Sequence, residues 1–175
     1  MDPKDAMNPR ENLSTAPVSD PEFLLFDVGG YRYGLPAMQV HEIVPAVPII
    51  PLPKAPAIVE GIINLRGKVV PVLDIRQRFR LPAKPLAHTD HLVVANAAGR
   101  LVALRVDAAT ELRNVSATEI DDVRNSVPGA EYLSLVARLD ESLVLIHDIE
   151  TFLSRMEIDE LEETLAGPRE SASAE

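Results

Sequence analysis

Fifteen prolines in 175 residues constrain this chain more than any other feature. Average usage of about 5% would give roughly nine. Proline fixes φ and lacks an N–H, so a helix interior loses a hydrogen bond and clashes where it sits. The surplus favours a β-rich fold of short strands and many turns. Apolar residues make up 46% of the chain and aromatics only 4%, with no tryptophan, so the core is expected to be aliphatic. The length suits one ordinary core, or two small subdomains sharing one.

The net charge of −10 argues against broad nucleic-acid or anionic-membrane binding, which needs clustered positive charge. Cysteine is absent, so disulfides and thiolate zinc sites are excluded. The N-terminal segment MDPKDAMNPRENLS has no apolar core of a leader, and no run of about 18 apolar residues occurs. A cytoplasmic protein without direct membrane insertion is expected.

Residues 1–20 are polar and proline-punctuated, and read as a disordered tail. Phe23–Val28 and Tyr31–Leu35 are short apolar runs joined by Gly29-Gly30, a glycine pair suited to a tight hairpin. Met38, Val40, Ile43 and Val44 form a further short element, a helical turn or a strand. Pro45, Pro48, Pro51, Pro53 and Pro56 then require an extended loop, and Val47, Ile49, Ile50 and Leu52 suggest that it packs on the body. A proline-rich ligand for another domain is the competing reading of this loop.

Gly61–Leu65 and Val69–Ile75 form the next hairpin, in which Pro71 restricts its strand to an edge or a bulge. Arg76–Leu81 reads as one helical turn. His91–Asn96 with Leu101–Asp107, a strand at Glu111–Val115, and Glu131–Leu139 with Leu143–Ile146 complete the β pattern. Ser116–Glu119 matches a capping box with no amphipathic run behind it, so a turn is expected. From Asp148, read as an N-cap, Ile149, Phe152, Leu153 and Met156 follow helical spacing, with Glu157–Glu163 solvated and Gly167-Pro168 as the stop. About ten short strands and one terminal helix suggest one or two small β-barrels.

No catalytic constellation emerges. His88 and His91 are close in sequence but lack third and fourth ligands at metal-like spacing. Asp74 and Asp107 each end an apolar run, where an acid is usually a turn former. No cofactor loop is present, since Gly29-Gly30 belongs to a hairpin. Arg66, Lys68, Arg76, Arg78 and Arg80 form a basic segment in an acidic protein, either a solvated face or a surface for a protein partner. Arg66 at a hairpin tip is poorly explained by packing, and Glu42, framed by aliphatics, could pair with it if their elements adjoin.

The ordered set of motifs resembles the CheW family, the coupling proteins of bacterial chemosensory arrays. Phe23-Leu-Leu-Phe26, Gly29-Gly30, Tyr33-Gly34-Leu35, Val40-His-Glu42-Ile43 and Leu52-Pro53-Lys-Ala-Pro56 come in the family's order. Gly61-Ile-Ile-Asn64-Leu65-Arg66-Gly67 and Val69-Val-Pro71-Val-Leu73-Asp74-Ile75-Arg76 follow. The resemblance runs from about Glu22 to Leu153. It implies a mainly β fold of two intertwined five-stranded β-barrel subdomains, SH3- or OB-like, over residues 21–155. An acidic helical extension and polar tail would occupy 156–175. It also implies a non-catalytic adaptor joining a chemoreceptor's cytoplasmic tip to the regulatory domain of a CheA-like histidine kinase.

By position, the resemblance places Val40 in a receptor-contact region and Gly61 and Arg66 in a partner-contact segment. Glu42 and Arg66 match a surface acid–arginine pair, and Leu112 matches a contact in the second subdomain. Ile43, Asn64 and Gly67 complete the partner-facing set. An aliphatic groove between the barrels would receive a receptor helix. Ala109, where valine is usual, and His147, at an aliphatic position, depart from the pattern. A small β-barrel binding a ligand or an oligonucleotide is the alternative.

Overall fold

The computed structural model describes residues 19–124, 128 and 133–167. The expected tails at 1–18 and 168–175 lie outside them. Among the described residues, eleven strands form two sheets. One sheet has six strands in the order β8-β1-β2-β11-β10-β9: β1 (Glu22–Val28), β2 (Tyr31–Pro36), β8 (Ala108–Asn114), β9 (Ile120–Asp122), β10 (Leu133–Leu139) and β11 (Ser142–His147). The other has five in the order β3-β6-β7-β5-β4: β3 (Val40–Pro45), β4 (Val59–Leu65), β5 (Lys68–Leu73), β6 (His91–Ala97) and β7 (Arg100–Val106). The chain's first hairpin therefore sits in the sheet completed by its last strands, which intertwines the halves. The expected five-plus-five division becomes six plus five, because the short β9 (which follows the 3-10 turn capped by Ser116) pairs with β10. The strand ladders leave both sheets open, with β8 and β9 ending one and β3 and β4 the other.

Both faces of the central strands are buried, which is why their sequences read as continuous apolar runs and not as alternation. Leu24, Phe26 and Val28 of β1 join Val93, Ala95, Val102 and Leu104 of β6 and β7 in one core shared between the sheets. Phe23 and Leu25 point the other way into a second cluster, and Leu92 and Val94 into a third. Four of the few aromatics, Phe26, Tyr33, Phe79 and Phe152, gather at the seam. Tyr33 stacks on Phe79 with ring centroids 4.4 Å apart, and Phe79 lies 4.6 Å from His147 and 5.9 Å from Phe152. His147 thus fills its aliphatic position with a flat ring. Burial in this cluster pushes the Tyr33 hydroxyl up to about 12.

The strand holding Pro71 is interior in sheet order, contrary to a simple edge expectation. Its ladder to β7, however, involves only Val72 and Leu73. At Pro71 the strand pairs on one side, with β4, so the missing N–H costs no second ladder bond. The proline-rich loop crosses β4 and forms a bridge between Ile50 and Ile62 with backbone bonds of 2.8 and 2.9 Å. Leu52 and Ala55 pack on the shared core, whereas Val47 and Ile50 stay exposed at 40% and 60%.

The helical end differs from its reading. Asp148 caps only a 3-10 turn at Ile149–Thr151, and Ser154 caps the true helix α2 (Arg155–Ala166) through a capping box with Glu157. The expected solvated stretch is partly docked. Leu161 is fully buried, Glu157 pairs with Arg78, and Glu162 lies 3.1 Å from Arg100. The helical turn expected at Arg76–Leu81 is the one-turn helix α1 (Ile75–Arg78), which starts one residue earlier from an Asp74 cap.

Candidate functional site

The hairpin of β4 and β5 turns through two residues, with Leu65 paired to Lys68. Arg66 and Gly67 both have positive φ, 49° and 85°, which is the primed turn that matches strand twist. The Asn64 side chain accepts the Gly67 N–H at 2.8 Å and locks the bend. The β6–β7 hairpin repeats the device: Asn96 accepts from Gly99 at 2.9 Å, and Ala98 and Gly99 have φ of 50° and 83°. Asn64 is thus a turn clamp, a signal readable in the repeated Asn-x-x-Gly. Arginine is a poor choice for a left-handed position that asparagine or glycine fills without strain.

Arg66 spends that strain on one partner. Its two terminal nitrogens donate to both carboxylate oxygens of Glu42, at 2.6 and 2.9 Å. This two-bond geometry fixes the guanidinium plane. The arginine side chain is 73% exposed and Glu42 19%. Hydrogen bonding from Arg66 holds the Glu42 carboxyl below its ordinary value, with His41 Nε2 3.7 Å away adding to the effect when protonated. Because Glu42 belongs to β3 and Arg66 to the tip of β4, the pair links the two terminal strands of the five-stranded sheet.

The other expected residues distribute as follows. Ile43 is exposed beside Glu42, while Val40 is half-buried against the shared core. Gly67 faces open space. Gly61 is buried under the proline-rich loop, where a Cβ would sit 2.2 Å from the Ile50 carbonyl oxygen. It shapes the neighbourhood of the turn. Leu112 is 58% exposed but lies on β8 in the other sheet, so it is not brought to the Arg66–Glu42 pair. Exposed Ile50 and Val69 lie on the loop and strand that border the turn.

The basic segment does not form one surface. Arg76 is buried and donates to Asp107 at 2.6 and 2.7 Å, and Arg78 donates to the Phe152 carbonyl and to Glu157. Asp74 and Asp107, read as turn formers, belong to a buried ion network centred on Arg105, which sequence reasoning passed over. Arg105 meets Glu60 at 2.7 Å, Asp90 at 3.6 Å and Asp74 at 3.7 Å, and Lys84 bridges Asp90 and Asp107 at 2.7 and 3.1 Å. The available signal was a lone arginine in the apolar run Leu101–Val106. With every acid held by a cation, the cluster offers structural charge pairing and no free general base.

The sequence profile of the CheW-like domain matches residues 22–157. A chemotaxis protein CheW of Treponema pallidum is 32% identical over 152 residues, spanning 82% of this chain and 89% of that protein. The protein FrzA of Myxococcus xanthus is 28% identical over 114 residues, spanning 65% of this chain and 71% of its own. Among solved structures, the scaffolding protein TtCheW of Thermoanaerobacter tengcongensis superposes with a TM-score of 0.70 at 27% identity. That match covers 78% of this chain and 90% of that one.

Proposed function

The chain belongs to the CheW family, and from that premise we propose a non-catalytic adaptor that couples chemoreceptors to a CheA-like histidine kinase. The family favours this over a ligand- or oligonucleotide-binding barrel. Among the described residues, no helix is long and apolar enough to cross a membrane. Association with the membrane runs through the receptor array, in the cytoplasm.

One observation carries the partner-facing assignment. An exposed arginine is held at a strained turn position, its plane fixed by two bonds to Glu42. An oriented charge of this kind selects and aligns a partner more than it supplies affinity. Val40, Ile43 and the exposed aliphatics bordering the turn supply contact for an apolar helix face, and Leu112 marks a second contact on the other sheet. Asn64, Gly61 and Gly67 set the shape of the turn. The same reading takes each sheet as the wall of a small barrel, with the Arg66–Glu42 link drawing together the ends of the five-stranded one.

Titration of the purified protein with the kinase regulatory domain and, separately, with a receptor-tip fragment tests the assignment. Arg66→Glu is expected to weaken at least one of the two while the fold is kept. Unchanged binding of both would remove Arg66 from the interface.

A further inference from the structure

Strand β8 is an end strand seven residues long, and among the described residues nothing pairs with its outer edge. Val115 donates its N–H inward to the Pro21 carbonyl at 3.0 Å. By alternation along an antiparallel strand, Arg113 and Glu111 also direct their backbone groups toward β1, so Leu112 and Asn114 direct theirs outward. A bulge lies in β8 itself just beyond, at Thr110, where the register steps from Leu25–Glu111 to Phe26–Ala109, so the regular edge runs from Glu111 to Asn114. The outer edge thus carries free backbone groups beside an exposed leucine.

Edges of this kind are normally blunted by like charges, which repel a second copy. Here the charges are opposite in sign and evenly placed about Leu112: Glu111 before it and Arg113 after it, both reaching solvent. We propose that β8 pairs antiparallel with β8 of a second copy of this chain, about a two-fold axis at Leu112. In that register each leucine faces its own symmetry mate, and each Glu111 faces the mate's Arg113. The pairing is isologous and closes at two copies. Arg113 already holds Asp140 through its two terminal nitrogens at 3.0 and 3.2 Å and lies 3.7 Å from Glu111 of its own strand, so the mate's Glu111 meets the remaining Nε in exchange for that longer contact within the strand. A β8–β8 ribbon would join two six-stranded sheets into one of twelve. The contact area of one strand edge is small, so the dimer is weak and concentration-dependent. This inference does not depend on the adaptor reading, because its test uses the purified chain alone.

The chain has no cysteine, so single substitutions read the register directly. In the proposed pairing, Leu112→Cys brings two thiols to roughly 5.5 Å between Cα atoms, within disulfide reach. Asn114→Cys alone places them about 13 Å apart, out of reach. Under mild oxidation, Leu112→Cys is expected to form a covalent dimer and Asn114→Cys to remain monomeric. Sedimentation of the unmodified chain should show concentration-dependent association. Either Glu111→Arg or Arg113→Glu should weaken it about tenfold, and the double exchange should recover it. Equal cross-linking of all the cysteine variants, or a monomer across the concentration range, would overturn the proposal. So would charge variants that associate like the parent.

Discussion

Arg76 and Asp107 form a two-bond ion pair, at 2.6 and 2.7 Å, at the seam where the chain passes between its two sheets. The Asp107 carboxylate also accepts the Gly29 N–H at 2.8 Å, and its own N–H reaches the Asp27 carbonyl at 2.9 Å. One aspartate thereby ties the first hairpin of one sheet to the helix that follows β5 of the other.

Breaking that tie leaves a partly buried carboxylate short of its main cation. Arg76→Leu is expected to cost about 3 kcal/mol, the scale seen when one partner of a buried pair is removed. Urea unfolding monitored by circular dichroism checks this. A loss below about 0.5 kcal/mol would place the stability of the seam in the aromatic cluster instead.

The same pair sets a pH response. Burial alone would raise Asp107, but Arg76 and the Gly29 N–H outweigh it and hold the carboxyl below its ordinary value of 3.8. A carboxyl depressed in the folded state stabilises above its unfolded value and loses that contribution as pH falls through the folded one. Stability should therefore drop on acidification between about pH 5 and 2. Asp107→Asn, less stable at neutral pH, should show a shallower drop over that interval. Parallel pH–stability curves for the two proteins would contradict this.

Arg66 separates function from stability. Asparagine suits the left-handed position better than arginine, and an exposed ion pair contributes little to folding. Arg66→Asn is expected to leave the unfolding midpoint unchanged or higher while partner binding weakens. Thermal melts and a binding titration on the same sample decide it. A lower midpoint would show that the link to Glu42 holds the sheet together.

Gly61→Ala tests the proline-rich loop. The added methyl meets the Ile50 oxygen at 2.2 Å and Ile49 Cγ2 at 2.7 Å, so the loop has to lift from β4. Overpacking of this kind costs about 2 kcal/mol. Limited proteolysis should then cut within residues 46–57 faster than in the parent.

Helix α2 is anchored chiefly by one side chain, Leu161, which is fully buried. Leu161→Ala should destabilise by about 2–4 kcal/mol. Amide exchange would rise first across Arg155–Ala166 and in the loop at Lys54, whose carbonyl accepts from Thr164 at 3.3 Å. An exchange pattern unchanged outside α2 would show that the helix does not brace the loop.

The elements themselves were readable from local chemistry. Glycine pairs, Asn-x-x-Gly turns and proline placement fix where the chain reverses, because turn geometry depends on the φ that a few residues can adopt. Hence the hairpins at Phe23–Leu35, Gly61–Leu73 and His91–Val106 were legible, and so was an arginine exposed at the tip of the second. Helix α2 was misplaced because Asp148 and Ser154 both look like caps, and only docking of Leu161 decides which one starts a lasting helix. The inward pairing of Arg76, Arg78 and Asp107 was missed for the same reason, whereas Asp74 does form a turn by capping α1 and additionally faces Arg105. A charge at the end of an apolar run looks alike whether it meets water or a buried counter-ion from a strand 30 residues away.

By itself the sequence determined the β-rich class, the hairpins, the family motifs and the candidacy of Arg66, since each depends on residues near in the chain. The tertiary structure decided which strands share a sheet, that Glu42 and Arg66 meet across its two ends, and that Arg76 and Arg78 turn inward while Lys68 and Arg80 stay exposed. Those outcomes depend on long-range pairing and on the high cost of burying a charge without its partner, which no local pattern encodes.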